Sequence, residues 1–192
     1  MPYEFDFGII ASKIQYISER MKNMENQNIC LKQIEDRTEA TMLEILTSDI
    51  VKQTYMLPDF SCREDAIPLF RRLVNLSTDE TRYMRGIYCD ENLIGFLNDV
   101  EILDGSIELG YVIHPLFRGK GYMTQALKIA IAELFSCGYE EVIAGAFEEN
   151  IASIRVMEKA GMTKMEKADE IEYRGKVHRC IYYHKDKRLV KV

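Results

Sequence analysis

Apolar residues repeat with two different periods along the chain, and the period distinguishes helices from strands. Near the amino terminus the spacings alternate between four and three, which predicts a helix with one apolar stripe. The stripe consists of Ile10, Ile14, Ile17, Met21 and Met24. We interpret residues 1–28 as an N-terminal helical extension. It either packs on its own domain or contributes a dimer contact, so a homodimer is an open alternative.

The next part of the chain combines a short strand with helices. Residues 29–34 predict the strand. Residues 36–39 and 61–64 each resemble a capping box that opens a helix. Pro68 leaves the first residue of the second helix open, because proline is tolerated only near a helix start.

Three consecutive strands are predicted in the middle of the chain. Runs with strand character lie at residues 82–89, 93–102 and 106–113. Short turns at residues 90–92 and 104–105 separate them, which predicts an antiparallel meander.

Helical periodicity returns directly after the third strand. Apolar residues at i, i+3, i+4, i+7, i+8 and i+11 predict one buried helix face. They are Met123, Ala126, Leu127, Ala130, Ile131 and Leu134. Gly138 is typical of the position that follows such a helix.

The rest of the chain predicts a strand, a helix and a hairpin. The strand covers residues 140–147, and Asn150 is the expected N-cap of a helix over residues 151–160. Strands near 162–170 and 176–184 complete the hairpin. This order of elements predicts an α/β (α+β) fold with helices flanking a mixed, mostly antiparallel central sheet. Residues 29–192 are expected to form one domain.

Composition narrows the possible partners. The formal net charge of −6 makes nucleic acid and anionic membranes unfavourable partners. The five cysteines lack CxxC spacing and the three histidines form no HExxH pattern, which argues against disulfides and a metal site. The amino terminus has early acidic residues and no basic region of the kind that opens a signal peptide. We therefore expect a cytoplasmic protein without a metal.

The junction at residues 118–124 is the strongest candidate for chemistry. It joins a strand to a helix amino terminus, where unsatisfied N–H groups and the helix dipole favour an anion. Gly119 and Gly121 remove side chains from this turn, while Arg118 and Lys120 add positive charge. The alternative is a tight turn whose glycines serve geometry alone. The spacing fits neither a P-loop nor a dinucleotide fingerprint.

Four stretches of the chain resemble one known family. The sequence Arg118-Gly119-Lys120-Gly121-Tyr122-Met123 resembles the acyl-CoA pyrophosphate signature Arg/Gln-x-x-Gly-x-Gly/Ala of the GNAT superfamily of N-acetyltransferases, with Met123 as a departure. Residues 107–113 are similar to the fourth strand of that family, residues 150–162 to its second cofactor motif, and residues 29–36 to its opening strand and turn. The longer string over residues 119–127 resembles the branch that acetylates the amino termini of ribosomal proteins.

The resemblance implies a GNAT-like fold and acetyl-CoA as the acyl donor, with no metal. It also implies that the cofactor is held by the fourth strand, the glycine loop and the start of the later helix. The residues expected to bind it are Tyr111, Val112, Ile113, Arg118, Gly119, Lys120, Gly121, Tyr122, Met123, Thr124, Asn150 and Ser153.

The resemblance also suggests the catalytic residues. Glu108 is the candidate base, because a carboxylate acting through water can deprotonate an attacking amine. It lies two residues before Gly110, where the strand of that family usually bulges. Strand alternation places Glu108 opposite Ile107 and Leu109, so the alternative is an outward-facing solvated glutamate. Backbone N–H groups around Tyr111 and Val112 are the candidate oxyanion donors.

The acid that protonates the departing thiolate is less well defined. Many relatives have a tyrosine four residues after the motif serine, but this chain has Met157 there. Ser153 and Asn150 remain as hydrogen-bonding groups at the sulfur end, although Asn150 is also explained as an N-cap. Tyr182 and Tyr183 are further candidate acids.

The acceptor is expected to be a primary amine, either on a small molecule or at a peptide or protein amino terminus. Acidic residues at 148–149 and 169–172 favour a cationic amine, or they form a solvated rim. The alternative function is a non-catalytic acyl-CoA-binding regulatory or interaction module.

Overall fold

The computed structural model of the chain describes residues 28–189. The predicted apolar stripe and the dimer contact suggested for it lie outside these residues, so both stay predictions.

Strands and helices alternate much as the periodicity predicts. The described strands are β1 (Ile29–Lys32), β2 (Met84–Cys89), β3 (Asn92–Leu103), β4 (Ser106–Ile113), β5 (Glu141–Phe147), β6 (Thr163–Tyr173) and β7 (Lys176–Asp186). The described α-helices are α1 (Glu39–Leu46), α2 (Asp49–Lys52), α3 (Ile67–Thr78), α4 (Tyr122–Ser136) and α5 (Ile151–Lys159).

The strands form one sheet in the order β1-β2-β3-β4-β5-β7-β6. Strands β4 and β5 are parallel, whereas the other neighbouring pairs are antiparallel. This arrangement confirms the predicted α/β fold with a mixed, mostly antiparallel sheet.

The two faces of the sheet are covered by different helices. On one face Ile107 and Leu109 of β4 are buried in a core that includes Leu127 of α4 and Met157 of α5. On the other face Val112 belongs to the core built around α1, α2 and α3. Alternation along β4 therefore directs odd-numbered residues to α4 and α5 and even-numbered residues to the opposite layer.

The pairing of β4 with β5 stops before β4 ends. The last paired residues are Leu109 and Ala144, while β4 continues to Ile113. The two strands diverge beyond this point, and the edge of β4 is left open toward the start of α5. The expected bulge in β4 is instead a register shift in its neighbour β3, between Asp99 and Glu101.

Both predicted capping boxes are wrong in detail. The Thr38 hydroxyl donates to the Glu35 carbonyl, and Asp36 lies in a 3-10 turn that precedes α1. The backbone N–H of Cys62 donates to the Asp65 carboxylate, so that segment also winds into a turn before α3. Helix α3 begins at Ile67, which places Pro68 in its first turn, where its missing N–H costs nothing.

None of the helices within residues 28–189 combines the length and apolarity needed to cross a membrane. The same part of the chain has no group of three or more His, Cys, Asp or Glu side chains arranged to hold a metal ion.

Candidate active site

A cleft of about 360 Å³ opens where β4 and β5 diverge. It brings together most of the predicted cofactor residues: Tyr111, Val112, Ile113, Arg118, Gly119, Gly121, Tyr122, Met123, Thr124, Asn150 and Ser153. Lys120 does not line it, and its ammonium lies 5.4 Å from the ring centroid of Phe117. Three separate stretches of sequence therefore meet at one site.

The amino terminus of α4 forms one wall of the cleft. Gly121 at the N-cap has φ +82° and Gly119 has φ +76°, a backbone conformation that strains other residues. A Cβ at either position would meet nothing within 4 Å, so the glycines also leave the backbone accessible from the cleft. The first amides of a helix have no acceptor within it, and Gly121 has no side chain to cap them. This wall suits an anionic group such as a pyrophosphate.

The charge and packing around this wall are compatible with an anionic ligand. The guanidinium of Arg118 lies 3.5 Å from the Ile50 carbonyl, and partial burial lowers the pKa of this guanidinium below its usual value. Met123 is buried in the core under α4 and also lines the cleft. The departure from the family signature at Met123 is thus explained by packing in this chain.

The open edge of β4 presents backbone groups to the cleft. The His114 N–H donates to the Ile94 carbonyl at 2.8 Å, and Val112 pairs with Phe96 in the same register. Hydrogen bonds alternate along an antiparallel strand, so the N–H of Val112 faces β3. The N–H groups of Tyr111 and Ile113 therefore face the opposite edge of β4, which β5 no longer pairs with at these residues. The prediction of an oxyanion donor therefore narrows from Tyr111 and Val112 to Tyr111.

Asn150 and Ser153 form a reciprocal pair at the start of α5. The Ser153 N–H donates to Asn150 Oδ1 at 3.2 Å, and Asn150 Nδ2 donates to Ser153 Oγ at 2.9 Å. The predicted N-cap is confirmed. Because the serine oxygen accepts from Asn150, its own hydrogen is left to donate elsewhere. Tyr111 closes the arrangement by donating its hydroxyl to the Ser153 carbonyl at 3.2 Å.

The candidate tyrosine acids differ in where they lie. Met157, at the position of the tyrosine of many relatives, is fully buried in the core and brings no hydroxyl group. Tyr183 donates to Glu158 on the α5 side of the sheet, away from Glu108. Tyr182 lies on the same side as Glu108, and burial raises the pKa of its phenol above the usual range. Its ring lies against Gly145, where a Cβ would be 2.9 Å from it.

Glu108 is half-buried on the face opposite Ile107 and Leu109, as alternation predicts. Burial raises the pKa of its carboxyl group, the nearby Lys167 ammonium lowers it, and the Glu101 and Asp169 carboxylates raise it further. Within residues 28–189 the Glu108 carboxylate has no hydrogen bond or salt bridge. It does not line the cleft itself but lies on β4 beside it. A half-buried carboxylate without a partner is more basic than a solvated one.

Much of the acidic rim is paired. Glu149 contacts His178 and Lys176, and Glu148 lies 3.4 Å from Arg179. These pairs make the rim at residues 148–149 a solvated, largely neutralised surface rather than a strongly negative one.

Tyr55 also lines the cleft, although nothing in the sequence around it predicts this position. It belongs to the loop over residues 53–60, which we call the strap. The Tyr173 hydroxyl lies 3.3 Å from the Tyr55 carbonyl, and Arg174 pairs with Asp59 at 2.7 Å. The strap therefore connects α2 to the β6–β7 hairpin across the Glu108 face of the sheet. No local sequence motif predicts the strap, because its contacts with the β6–β7 hairpin join residues more than 100 positions apart.

Comparison with known proteins gives a consistent result. Residues 28–163, more than half of the chain, match the family described as "Acetyltransferase (GNAT) domain". A stretch of 95 residues is 34% identical to the probable N-acetyltransferase YjcK of Bacillus subtilis (strain 168), covering 46% of this chain and 52% of that protein. The match thus spans about half the length of that relative.

Two solved structures illustrate the shared fold. One is RimL, a ribosomal L7/L12 alpha-N-protein acetyltransferase in complex with coenzyme A, with a TM-score of 0.72, 19% identity, and coverage of 82% of this chain and 93% of that chain. The other is spermidine N-acetyltransferase from Vibrio cholerae in complex with CoA and spermine, with a TM-score of 0.70, 15% identity, and coverage of 83% and 96%.

Proposed function

The chain belongs to the GNAT family of acetyltransferases, and from that premise we propose that it transfers an acetyl group from acetyl-CoA to a primary amine by direct attack in a ternary complex. The observation that carries this proposal is the divergence of β4 from β5 beside the amino terminus of α4. The divergence exposes a strand edge, and the helix supplies an anion site in the same cleft.

The residues of the cleft fit the parts of acetyl-CoA, which supplies the activated acyl group as a thioester. The amides at the start of α4 and the Arg118 guanidinium suit its pyrophosphate. The exposed edge at Tyr111 and Ile113 suits its extended amide-bearing arm, which it can pair with as a neighbouring strand would. Asn150 and Ser153 suit the sulfur end. Lys120, outside the cleft lining, contributes positive charge near its mouth.

Glu108 is the proposed base. An α-amino group has a pKa of about 8 and a lysine amine of about 10.4, so most of the acceptor arrives as an ammonium. Glu108 removes one proton through a water molecule. Its raised pKa makes it a stronger base than a solvated glutamate. The amine nitrogen then forms a bond to the acyl carbon, and the carbon–sulfur bond breaks. The nitrogen releases a second proton as it becomes an amide, and the leaving thiolate takes up this proton to end as the thiol.

Two further groups assist the change in charge. The Tyr111 N–H is placed to stabilise the oxyanion of the tetrahedral intermediate. The Ser153 hydroxyl is the proposed donor to the departing sulfur, since its oxygen already accepts from Asn150. Ser153 thereby supplies the hydroxyl donor that Met157 cannot provide.

The acceptor class is proposed more broadly than a single compound. RimL is named for a ribosomal protein amino terminus, and the Vibrio cholerae enzyme is named for spermidine. Protein amino termini and small-molecule amines are therefore both candidate acceptors. The second candidate function is an acyl-CoA-binding module without catalysis. It is favoured by one observation, the buried Met157 at the position of the usual tyrosine.

The first experiment is thermal unfolding with acetyl-CoA, with ATP and NAD as controls. At about a hundredfold above Kd, binding adds roughly 2.7 kcal/mol and raises the midpoint by about 5–10 °C. A rise with acetyl-CoA alone supports the cofactor site, and no rise contradicts it. Thiol release with spermidine and with a serine-initiated peptide then separates the two functions. Turnover of either amine supports the transferase, and binding without turnover of any amine tested supports the module.

A further inference from the structure

The phenol of Tyr55 extends from the strap over β4. Its hydroxyl donates to Asn98 Oδ1 at 2.5 Å. A Cβ at Gly110 would lie 3.1 Å from both the Tyr55 hydroxyl and Asn98 Oδ1, so the absence of a side chain at Gly110 is what accommodates this pair. Gly110 and Glu108 are two residues apart and point to the same face of β4. The Tyr55 hydroxyl therefore lies over the position next to the proposed base on the same face of β4, at the edge of the cleft.

Neighbouring groups fix the direction of the Tyr55 hydrogen. Asn98 Nδ2 donates to the Asp99 carbonyl at 3.0 Å, which turns Oδ1 toward Tyr55. The ring of Phe96 packs edge-on against Tyr55 with centroids 5.8 Å apart. Burial raises the pKa of the Tyr55 phenol, so it stays protonated. Since its one hydrogen is given to Asn98, its oxygen is left to accept hydrogen bonds from another donor.

We infer that Tyr55 binds the amine that is to be acetylated, and that Asn98 is the residue that positions it. This inference rests on the proposed function. The Tyr55 oxygen accepts an N–H of the amine while Glu108 removes a proton from the same nitrogen through a water molecule. Two acceptors on one face of β4 hold the nitrogen and direct its lone pair toward the acyl carbon. The donor required is an N–H group, which every primary amine supplies.

The test uses a stable compound that joins both substrates. CoA is alkylated on sulfur to carry –CH2–C(=O)–NH–propyl, so that its amide nitrogen stands for the attacking amine. Calorimetry measures the affinities of CoA and of this compound for wild type, Tyr55→Phe and Tyr83→Phe. Tyr83 is the matched control, because its hydroxyl also donates within the fold, to Glu133 at 2.8 Å, but does not line the cleft.

The expected result is a selective loss. Tyr55→Phe should bind CoA like wild type and bind the joined compound about five- to tenfold more weakly, as the loss of one hydrogen bond predicts. Tyr83→Phe should bind both like wild type. Gly110→Ala retains the phenol but crowds it, and we expect the same selective loss. This second variant keeps the test decisive should Tyr55→Phe fail to fold.

Two outcomes overturn the inference in distinguishable ways. If a folded Tyr55→Phe or Gly110→Ala variant binds the joined compound as tightly as wild type, Tyr55 does not bind the amine, while the proposed function stands. If wild type binds neither CoA nor the joined compound, the proposed function fails and the inference fails with it. If the Tyr55 hydroxyl had only a structural role, its removal would lower the melting temperature but would leave the difference in affinity between CoA and the joined compound unchanged.

Discussion

The two sides of the site are built in different ways. The proposed cofactor side uses backbone groups from continuous stretches of chain, at residues 111–113, 118–124 and 150–153. The proposed acceptor side uses side chains from separate segments: Tyr55 contacts Asn98 and Tyr173, and Glu108 lies on the same face of the sheet. Backbone geometry of the first kind is encoded by a few local residues. Side-chain placement of the second kind depends on the whole fold.

The largest effect should come from breaking the cofactor side alone. Gly121→Val places a β-branched residue at φ +82° and projects it into the cleft, where it would displace the anion from the helix amides. We expect acetyl-CoA binding to become unmeasurable by calorimetry. The variant should also lose about 1–2 kcal/mol of stability to backbone strain, because side chains other than glycine rarely adopt a positive φ, so binding is measured well below its melting temperature.

The matched control is Gly138→Val at the other end of α4. Gly138 has φ +103° and equally open surroundings, so its substitution imposes similar strain away from the cleft. Acetyl-CoA affinity should be retained in this variant. Equal loss of affinity in both variants would show that strain, not the anion site, explains the effect.

The contrast between the two sides also explains what could be predicted from sequence. The pattern from Met123 to Leu134 identifies the α4 face, and Asn150 identifies the start of α5, because period and capping are local properties. Glu108 was nominated through the family resemblance, and strand alternation predicted its face. Tyr55 could not be predicted, because its proposed role depends on Asn98, 43 residues away, and on the space above Gly110. The capping boxes failed because the Asp36 backbone carbonyl accepts the Glu39 N–H and the Asp65 carboxylate accepts the Cys62 N–H, so each segment forms a turn before its helix.

The second prediction breaks the acceptor side and leaves the cofactor side intact. Glu108→Gln should lower kcat at neutral pH by about a hundredfold, the usual range for loss of a general base. Acetyl-CoA affinity should be unchanged. Glu166→Gln is the control, since Glu166 is an exposed carboxylate of the same sheet that does not act on the Glu108 pKa. Comparable loss in both variants would remove Glu108 from the mechanism.

The same variant should be more stable than wild type. Burial raises the pKa of folded Glu108 above its ordinary value, so the folded state binds the proton more tightly than the unfolded state. Its ionisation therefore destabilises the fold as pH rises, and this cost is absent at low pH. We expect Glu108→Gln to melt roughly 2 °C higher at pH 7 and to match wild type near pH 4. A lower melting temperature at pH 7 would contradict the proposed environment of Glu108.

A smaller effect should come from changing the charges around Glu108 while keeping the carboxylate itself. Lys167 lowers the pKa of Glu108 and Asp169 raises it. Lys167→Gln should therefore move the Glu108 titration to higher pH, and Asp169→Asn should move it to lower pH. Both side chains are about half exposed, so each shift should be a few tenths of a pH unit and should shrink with salt.

Carbon-13 NMR of the carboxyl groups measures these shifts directly. Lys164→Gln is the control, because Lys164 lies on the same strand but does not act on the Glu108 pKa. Shifts of the same sign in the Lys167 and Asp169 variants would mean that a conformational change, not charge, controls Glu108.

The smallest effect concerns the strap that carries Tyr55. Asp59 accepts from Arg174 at 2.7 Å and from the buried Lys52 ammonium at 3.4 Å. Arg174→Ala removes one exposed ion pair, which contributes about 0–1 kcal/mol. Asp59→Asn weakens both contacts and leaves a buried charge less well compensated, so it should cost more. We expect KM for the amine to rise by less than about twofold for Arg174→Ala and by more for Asp59→Asn. Both effects should be small, because the Asp59 pairs hold Tyr55 only through the backbone of the strap.

Acetyl-CoA affinity separates this effect from general destabilisation, since the strap pairs lie on the acceptor side and should leave it unchanged. Arg188→Ala is the control: it removes the 2.6 Å pair that the exposed Arg188 forms with Asp186, far along the chain from the strap. If the Arg188 variant raises KM for the amine as much as the Asp59 variant does, the strap has no special connection to the acceptor. If only the strap variants raise it, and in the order Asp59 above Arg174, the acceptor side depends on contacts between distant segments in a way that the cofactor side does not.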